Sequence, residues 1–294
     1  MWSHVTRWAF RRTPPFRPPA DMAAIHAATQ RSAGVPVAVE GAPDVGVDVF
    51  RPRAAGPHPL VVWMHGGGFI MGSPRLVANM AHYLAARGVL VAVPAYSLAG
   101  IAPYPAPVRQ AAATLCALVA AAGTWDIDAG RVALAGDSAG AHIALQAAAA
   151  LGDPAFAGSL GVPAGGPPGG VGGVVCHSAF LPFDAMGPAA PFGRGLRDTY
   201  LWGGPPGPPA ADVAPGFPPT FITVGNGDPL RGQSYRLARA LAARGVDVET
   251  LFWRRRVPPL PHEYALYMDT HAARVARERT LAFLARALGP RTGA

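Results

Sequence analysis

The chain has 294 residues, of which half are hydrophobic and 14 % are charged. This length suits one large α/β domain or two small ones, and the apolar content excludes a disordered chain. The longest uninterrupted apolar run, residues 111–122, is too short to cross a membrane and suits a buried helix. The first 20 residues lack the continuous hydrophobic region of a signal peptide. Cys116 and Cys176 do not make a disulfide framework, so we expect a reduced, cytoplasmic location.

The formal net charge of +8 does not by itself indicate a nucleic-acid partner. The chain contains no lysine, and its 25 basic residues are all arginines scattered along the sequence. Together with the many alanine, glycine and proline residues, this is typical of a coding bias rather than of a binding face. We therefore expect a small-molecule substrate, no nucleic acid and no stable membrane insertion.

The first part of the chain predicts a β-hairpin. Residues 1–34 are mixed in composition, contain proline and are partly helical at best. Residues 35–40 and 45–50 then alternate apolar with polar or small residues on either side of a turn. This alternation is typical of two strands with one buried face.

Strand-like and helix-like runs alternate through the rest of the chain. Apolar runs of strand length occupy residues 60–64, 89–93, 131–135, 171–176, 220–224 and 246–252. Helical patterns occupy residues 75–87, 106–122, 139–152, 231–244 and 270–288. The alternation predicts an α/β fold with a mixed, mostly parallel eight-stranded sheet flanked by helices. Residues 161–173 predict a loop, and the long insertion at 198–219 is typical of a lid or binding loop.

A serine flanked by glycines stands where the strand predicted at 131–135 meets the next helix. The stretch Gly136-Asp137-Ser138-Ala139-Gly140 matches the G-x-S-x-G nucleophile elbow. Such a tight turn strains the backbone, needs small neighbours and exposes the hydroxyl at a helix N-terminus. The alternative is a strand-to-helix turn that contains a serine without function. We predict that Ser138 is a nucleophile.

A second glycine-rich stretch, His65-Gly66-Gly67-Gly68-Phe69, follows the strand predicted at 60–64. Three successive glycines let the backbone approach a ligand closely and turn several N–H groups toward one point. A plain glycine turn is the alternative. Together, in this order and each directly after a strand, the two motifs predict the hydrogen-bond donors and the nucleophile of an acyl-transfer site.

A serine nucleophile needs a base and an acid that orients the base. Asp228 follows the strand predicted at 220–224, and His262 follows the last strand, so both lie at the sheet edge of Ser138. The alternatives for these two residues are a helix cap and an ordinary loop histidine. Competing bases are His177 and His271. Competing acids are Glu249 and Glu263.

His262 and Glu263 also match the first two positions of the zinc motif H-E-x-x-H. Position 266 is leucine, so the second ligand is absent and we predict no metal site.

Together these motifs resemble those of the hormone-sensitive-lipase family of α/β-hydrolases, the bacterial family IV esterases. The matching stretches are HGGGF, GDSAGA, GDPL, PHEY and residues 94–111, and the similarity spans about residues 45–288. The resemblance implies hydrolysis of carboxylic esters, typically of short to medium acyl chains, without a metal or organic cofactor. It implies that the catalytic residues are Ser138, Asp228 and His262, and that the oxyanion-hole N–H groups are those of Gly67, Gly68 and Ala139.

The resemblance also implies a cap over the site. The cap would consist of the N-terminal segment, about residues 1–44, and an insertion at about 178–217 within a catalytic domain at 45–294. The sequence departs from the family at Ser97, where the family has an arginine. The segment 253–262 is several residues longer than the usual approach to the histidine, which would shift His262.

Aromatic residues near the motifs are candidates for substrate contacts, and core packing is the alternative. The candidates are Phe69, Tyr96 and Tyr264, followed by Phe180, Phe183 and Trp202. Two other functions stay open. The same triad serves peptidases and amidases, and related folds act as receptors that have lost the histidine, which this chain retains. We expect a monomer or a homodimer.

Overall fold

The computed structural model of the protein describes residues 16–163, 165–182, 190–202, 204, 212–254 and 258–290. Within this part of the chain the strands are β1 (Thr29–Val37), β2 (Val45–Pro52), β3 (His58–Met64), β4 (Leu90–Pro94), β5 (Ile127–Asp137), β6 (Gly173–His177), β7 (Thr220–Val224) and β8 (Val248–Phe252). The α-helices are α1 (Met22–Ala27), α2 (Ala78–Ala85), α3 (Ala106–Ala120), α4 (Ala122–Trp125), α5 (Ala139–Gly152), α6 (Pro154–Leu160), α7 (Ala190–Leu201), α8 (Arg231–Ala243) and α9 (His271–Leu288). Short 3-10 helices span Pro74–Val77 and Tyr264–Leu266.

The strands form one sheet in the order β1-β2-β4-β3-β5-β6-β7-β8. β2 runs antiparallel to both β1 and β4, whereas β3 to β8 are parallel to one another. This confirms the predicted mixed, mostly parallel sheet of eight strands. The loops that follow the parallel strands therefore meet at one edge of the sheet, where open α/β sheets have their sites.

The first strand begins earlier than the sequence predicted. The predicted hairpin started at residues 35–40, but β1 already pairs with β2 from Thr29 onward. The pairing is irregular between Ser32 and Val35, and Gly34 lies there with a φ of 65°. β1 is an edge strand with mostly exposed or half-exposed side chains, so its first half lacks the alternation that reveals a buried face.

The sheet is buried on both faces. In β3, the side chains of Leu60, Val62 and Met64 belong to one core layer, and those of Val61 and Trp63 belong to the other. Helices α3, α5, α6 and α8 pack in the first layer, and α1, α2 and α9 pack in the second. Burial on both faces explains why the parallel strands are near-continuous apolar runs.

The five predicted helices are present, and α5 has the predicted bounds, Ala139–Gly152. Helices α1, α4, α6 and α7 were not predicted; the first three have only four to seven residues, too few to reveal a period. α6 does carry a start signal, because Asp153 accepts hydrogen bonds from the N–H groups of Ala155 and Phe156 and Pro154 is the first helical residue. No helix in the described ranges is long and apolar enough to cross a membrane.

The insertion at 178–217 contains α7. The ring of Tyr200 stacks on Phe69 with centroids 3.8 Å apart, and the Tyr200 carbonyl accepts the N–H of Tyr104 at 2.9 Å. In the N-terminal segment, 1–44, the structure places β1 in the sheet. Other parts of the two predicted cap segments lie outside the described residues, namely 1–15, 183–189, 203 and 205–211. The division into cap and catalytic domain stays a prediction.

We predict that Gly140→Ala destabilises the fold. A Cβ at this position in α5 would collide with the backbone carbonyl oxygen of Met64 in β3. Overpacking of a tight contact typically costs about 1–3 kcal/mol. Gly152→Ala, at the end of the same helix, is a matched control, because nothing lies within 4 Å of a Cβ there. Thermal unfolding should give a lower midpoint for Gly140→Ala alone, and equal midpoints for both variants would contradict the close contact.

Candidate active site

Ser138 lies at the turn between β5 and α5. Its backbone has a φ of 54° and a ψ of −116°, a strained conformation that is uncommon for a residue with a side chain. Its N–H donates to the carbonyl of His177 at 2.8 Å, and its carbonyl accepts the N–H of Phe180 at 3.0 Å. A Cβ at either Gly136 or Gly140 would collide with backbone atoms. The neighbouring glycines are therefore required by close packing, as the sequence predicted.

His262 and Asp228 lie beside the serine. Nε2 of His262 is 2.9 Å from Oγ of Ser138, and its Nδ1 is 2.8 Å from Oδ2 of Asp228. The other carboxylate oxygen of Asp228 accepts the N–H of Leu230 at 2.7 Å, at the turn that leads into α8. Asp228 thus bonds both the turn before α8 and the histidine, but it does not cap α8, whose N-cap residue is Leu230. Residues 255–257 of the long segment before His262 lie outside the described part of the chain, but that segment leaves the ring within hydrogen-bond distance of Ser138.

The two competing histidines lie in other surroundings. His177 is fully buried, with Nε2 3.0 Å from Oγ1 of Thr280 and Nδ1 3.4 Å from Oδ1 of Asp137. His271 is exposed at the start of α9, where Nδ1 contacts the guanidinium of Arg274 at 2.8 Å. Among the described histidines, His262 is the one hydrogen-bonded to the Ser138 hydroxyl.

The two competing acids are not bonded to His262. Glu249 pairs with Arg279 at 2.6 Å and with Arg286 at 2.5 Å, at the outer side of β8 and α9. Glu263 directly follows His262, and its backbone N–H donates to Oγ of Ser178 at 3.1 Å. The described partner of the His262 Nδ1 atom is Asp228.

The surroundings of His262 favour its protonated form. Burial lowers the pKa of His262, but attraction and hydrogen bonding by the Asp228 carboxylate outweigh burial. The carboxylates of Glu263 and Asp137 add to this attraction, and together they raise the pKa of His262 to about 9. The ring is therefore a strong base once it is neutral, and an imidazolium formed during a reaction would be well stabilised.

Three backbone N–H groups near Ser138 are available to bind an anion. The φ values of Gly67 and Gly68 are 123° and 61°, and a Cβ at Gly67 would collide with the Met71 carbonyl. Neither glycine N–H donates a hydrogen bond to another described residue. Ala139 is the first residue of α5, so its N–H has no acceptor within the helix. These groups suit negative charge on a carbonyl oxygen.

Two of the predicted substrate contacts are buried tyrosines with engaged hydroxyls. The Tyr96 hydroxyl donates to the carbonyl of His65 at 2.8 Å, and 2 % of the residue is exposed. The Tyr264 hydroxyl lies 2.5 Å from Oγ1 of Thr223 and accepts the indole N–H of Trp253 at 2.7 Å. These contacts favour the alternative role, core packing around the loops of the site.

Phe69 is buried in the glycine loop and packs against α7. Its ring is buried between Tyr200, 3.8 Å away between centroids, and Phe180, 5.7 Å away. Trp202 follows α7 and is 62 % exposed. Phe183 lies outside the described residues. The contacts of Phe69 connect the glycine loop to the insertion.

The sequence analysis assigned no role to Asp137, the residue before Ser138. Its carboxylate is fully buried, and Oδ2 accepts the indole N–H of Trp63 at 2.5 Å, while Oδ1 faces His177. His177 in turn contacts Thr280 of α9. This buried series of side-chain contacts connects the serine turn to β3, β6 and α9. The sequence signal that could have revealed this contact is an acidic residue at the end of an otherwise apolar strand.

The structure contains no arrangement typical of a metal centre in the ranges it describes. No group of three or more His, Cys, Asp or Glu side chains there is placed to hold an ion. Leu266 occupies the position of the second histidine of a zinc motif and is buried.

Comparisons with known proteins agree with this fold. A family model described as the alpha/beta hydrolase fold matches residues 61–166. Carboxylesterase NlhH of Mycobacterium tuberculosis is 31 % identical over 279 residues, which is 86 % of this chain and 81 % of NlhH. Esterase LipI of the same species is 30 % identical over 255 residues, covering 79 % of this chain and 75 % of LipI. The crystal structure of esterase LipW from Mycobacterium marinum aligns with a TM-score of 0.75 at 26 % identity, over 98 % of this chain and 88 % of LipW.

The fold is that of the α/β-hydrolases, and the relatives that match most of the chain are esterases. The chain belongs to the hormone-sensitive-lipase family of these enzymes, the bacterial family IV esterases, and it is a carboxylic ester hydrolase.

We predict that ester hydrolysis rises with pH between about pH 7 and pH 9. His262 accepts a proton only when neutral, and its pKa is raised to about 9, so most of the free enzyme is protonated at neutral pH. Below that pKa, kcat/KM should increase by about tenfold per pH unit and then level off. Initial rates corrected for spontaneous hydrolysis test this at constant ionic strength. A plateau already reached below pH 7 would contradict the raised pKa.

Proposed function

We propose that the protein is a serine carboxylesterase that hydrolyses esters of short to medium acyl chains through an acyl-enzyme on Ser138. The observation that carries the proposal is the pair of hydrogen bonds that joins Asp228 to His262 and His262 to Ser138, at 2.8 Å and 2.9 Å. The strained backbone of Ser138 supports the same assignment, because strain of this kind clusters at functional sites.

In the acylation step, Nε2 of His262 takes the proton of the Ser138 hydroxyl as Oγ attacks the carbonyl carbon of the ester. The resulting oxyanion receives hydrogen bonds from the N–H groups of Gly67, Gly68 and Ala139. The loss of one such donor typically costs about 3 kcal/mol of transition-state stabilisation. The intermediate then expels the alcohol, which takes its proton from His262.

In the deacylation step, a water molecule attacks the acyl carbon, and His262 accepts its proton. The second tetrahedral intermediate releases the carboxylic acid, and the proton returns from His262 to Ser138 Oγ. Asp228 keeps the ring oriented and stabilises the imidazolium in both steps. Each step needs only groups of this chain, the ester and water.

The preference for short to medium acyl chains rests on the contacts of α7. Leu196 is 4 % exposed, and its Cδ1 would lie 3.0 Å from a Cβ built on Gly68. Tyr200 packs on Phe69 beside the same loop. A leucine this close to the proposed oxyanion hole supports a short pocket on that side.

These contacts also support a cap role for the insertion at 178–217. The contribution of the N-terminal segment, 1–44, to the cap and a catalytic domain at 45–294 stay predictions. The cytoplasmic location and the monomeric or homodimeric state stay predictions. Cys116 and Cys176 are free thiols, which is compatible with a reduced compartment.

We predict that Ser138→Ala lowers kcat for p-nitrophenyl acetate by about a thousandfold or more, because the acyl-enzyme cannot form. Ser159→Ala is the matched control, since this exposed hydroxyl bonds only within its own helix in the described structure. Among p-nitrophenyl esters with acyl chains of two to twelve carbons, those with the shortest acyl chains should have the highest kcat/KM. The measurement is the initial rate of p-nitrophenol release from purified variants with equal unfolding midpoints.

An equal loss of esterase activity in both serine variants, or full activity of Ser138→Ala, would contradict the assignment of Ser138 as the nucleophile. A p-nitroanilide of the best acyl group, assayed alongside, tests the amidase alternative. Cleavage of the anilide at a rate comparable to the ester would favour a peptidase or amidase. A folded wild-type protein that cleaves neither substrate would favour the receptor alternative.

A further inference from the structure

Glu263, the residue after His262, has a backbone fixed in an unusual conformation. Its φ is 55° and its ψ is 31°, a left-handed conformation that is uncommon for a residue with a side chain. Its N–H donates to Oγ of Ser178 at 3.1 Å, and its carbonyl accepts the N–H of Leu266 at 3.0 Å. Ser178 itself has a φ of 48°. Hydrogen bonds to Ser178 and from Leu266 thus hold Glu263 in place, and strain of the kind found at Glu263 and Ser178 is concentrated at functional sites.

The carboxylate of Glu263 lies against the glycine loop of the site. Its Oε1 atom is so close to Gly66 that a Cβ on that glycine would collide with it. The residue is partly exposed, and within the described structure its bond to a side chain is made by its backbone N–H, whereas its carboxylate receives no hydrogen bond. A carboxylate that lacks hydrogen-bond donors within the described structure acts on its surroundings mainly through its charge.

The groups that face Glu263 come from several elements. Those that interact with its charge are Tyr96 after β4, Asp137 at the end of β5, Asp228 after β7, and His262 and Tyr267 on its own segment. His65 precedes Gly66, the glycine that the carboxylate contacts. Burial lowers the pKa of His65 to about 4, and burial and the Glu263 charge raise the pKa values of both tyrosines. All three are therefore neutral at neutral pH, and His262 is the cation of this group.

The three carboxylates around His262 differ in their bonding. Asp137 is bonded to Trp63 and faces His177, and Asp228 is bonded to Leu230 and to His262 itself. Glu263 has no comparable bonds within the described residues. Burial raises the pKa of Glu263 to about 7, with attraction by His262 opposing and repulsion by the other carboxylates adding to this effect. Its charge therefore changes near neutral pH.

We propose that Glu263 is a positioning residue that acts through His262: its carboxylate stabilises the imidazolium formed during acyl transfer and thereby sets the pH range of the reaction. The inference rests on the proposed function, since it requires His262 to be the base. The same charge that favours the imidazolium in the transition state also keeps the resting base protonated at neutral pH. Removing the charge should therefore widen the active pH range and weaken the base.

The test compares wild type, Glu263→Gln and Glu278→Gln over about pH 5 to pH 10. Gln preserves the size of the side chain and removes its charge, and Glu278 is an exposed residue of α9. In Glu263→Gln the acidic limb of kcat/KM should move down by about one pH unit. The plateau kcat should fall by about threefold, because the efficiency of a general base follows its basicity. KM should stay within about twofold, and Glu278→Gln should match wild type.

A second readout is the proton NMR titration of the His262 ring, which should show the same shift without any substrate. If Glu263→Gln does not fold, Glu263→Gly removes the charge and suits the left-handed backbone, and the same shift is expected. Superimposable pH profiles and titrations of wild type and the folded variant would overturn the inference. Esterase activity that does not require Ser138 would instead contradict the proposed function, whatever the result for Glu263.

Discussion

The arrangement of the site depends on the positive φ of Ser138 at the end of β5. This conformation turns the chain from strand to helix within one residue and directs the hydroxyl away from the sheet. It requires glycine at 136 and 140, since α5 passes against the backbone of β3 and of its own turn. The N–H and carbonyl of Ser138 are bonded to β6 and to the segment that follows it. The strain is therefore held by several hydrogen bonds and by close packing.

A parallel sheet brings the remaining groups to this turn. The glycine loop follows β3, Asp228 follows β7 and His262 follows β8, so residues more than a hundred positions apart meet at one edge. The result is one histidine among three carboxylates. One of them is hydrogen-bonded to the ring, one is buried next to the serine in sequence, and one lies beside the glycine loop. This excess of negative charge explains why the pKa of His262 is raised despite its burial.

Sequence reasoning reached the parts of this account that have a local signature. Each of these signals lies within a few residues of sequence. They are the periods of the strands and helices, the glycines around Ser138, and the position of Asp228 and His262 after strands. The first half of β1 was missed because an edge strand need not alternate. The buried series of side-chain contacts from Asp137 through His177 to Thr280 was missed because it joins residues on three distant elements. The hydroxyl partners of Tyr96 and Tyr264 were also missed, because only the tertiary structure brings them near.

The most direct test of this account is covalent trapping of the nucleophile. Wild-type protein is treated with a p-nitrophenyl phosphonate, and the modified residue is identified by peptide mass spectrometry. We expect one phosphonyl group per chain, on Ser138, with parallel loss of esterase activity. Modification of another residue with loss of activity, or full activity after Ser138 is modified, would contradict the central claim that this strained serine carries the reaction.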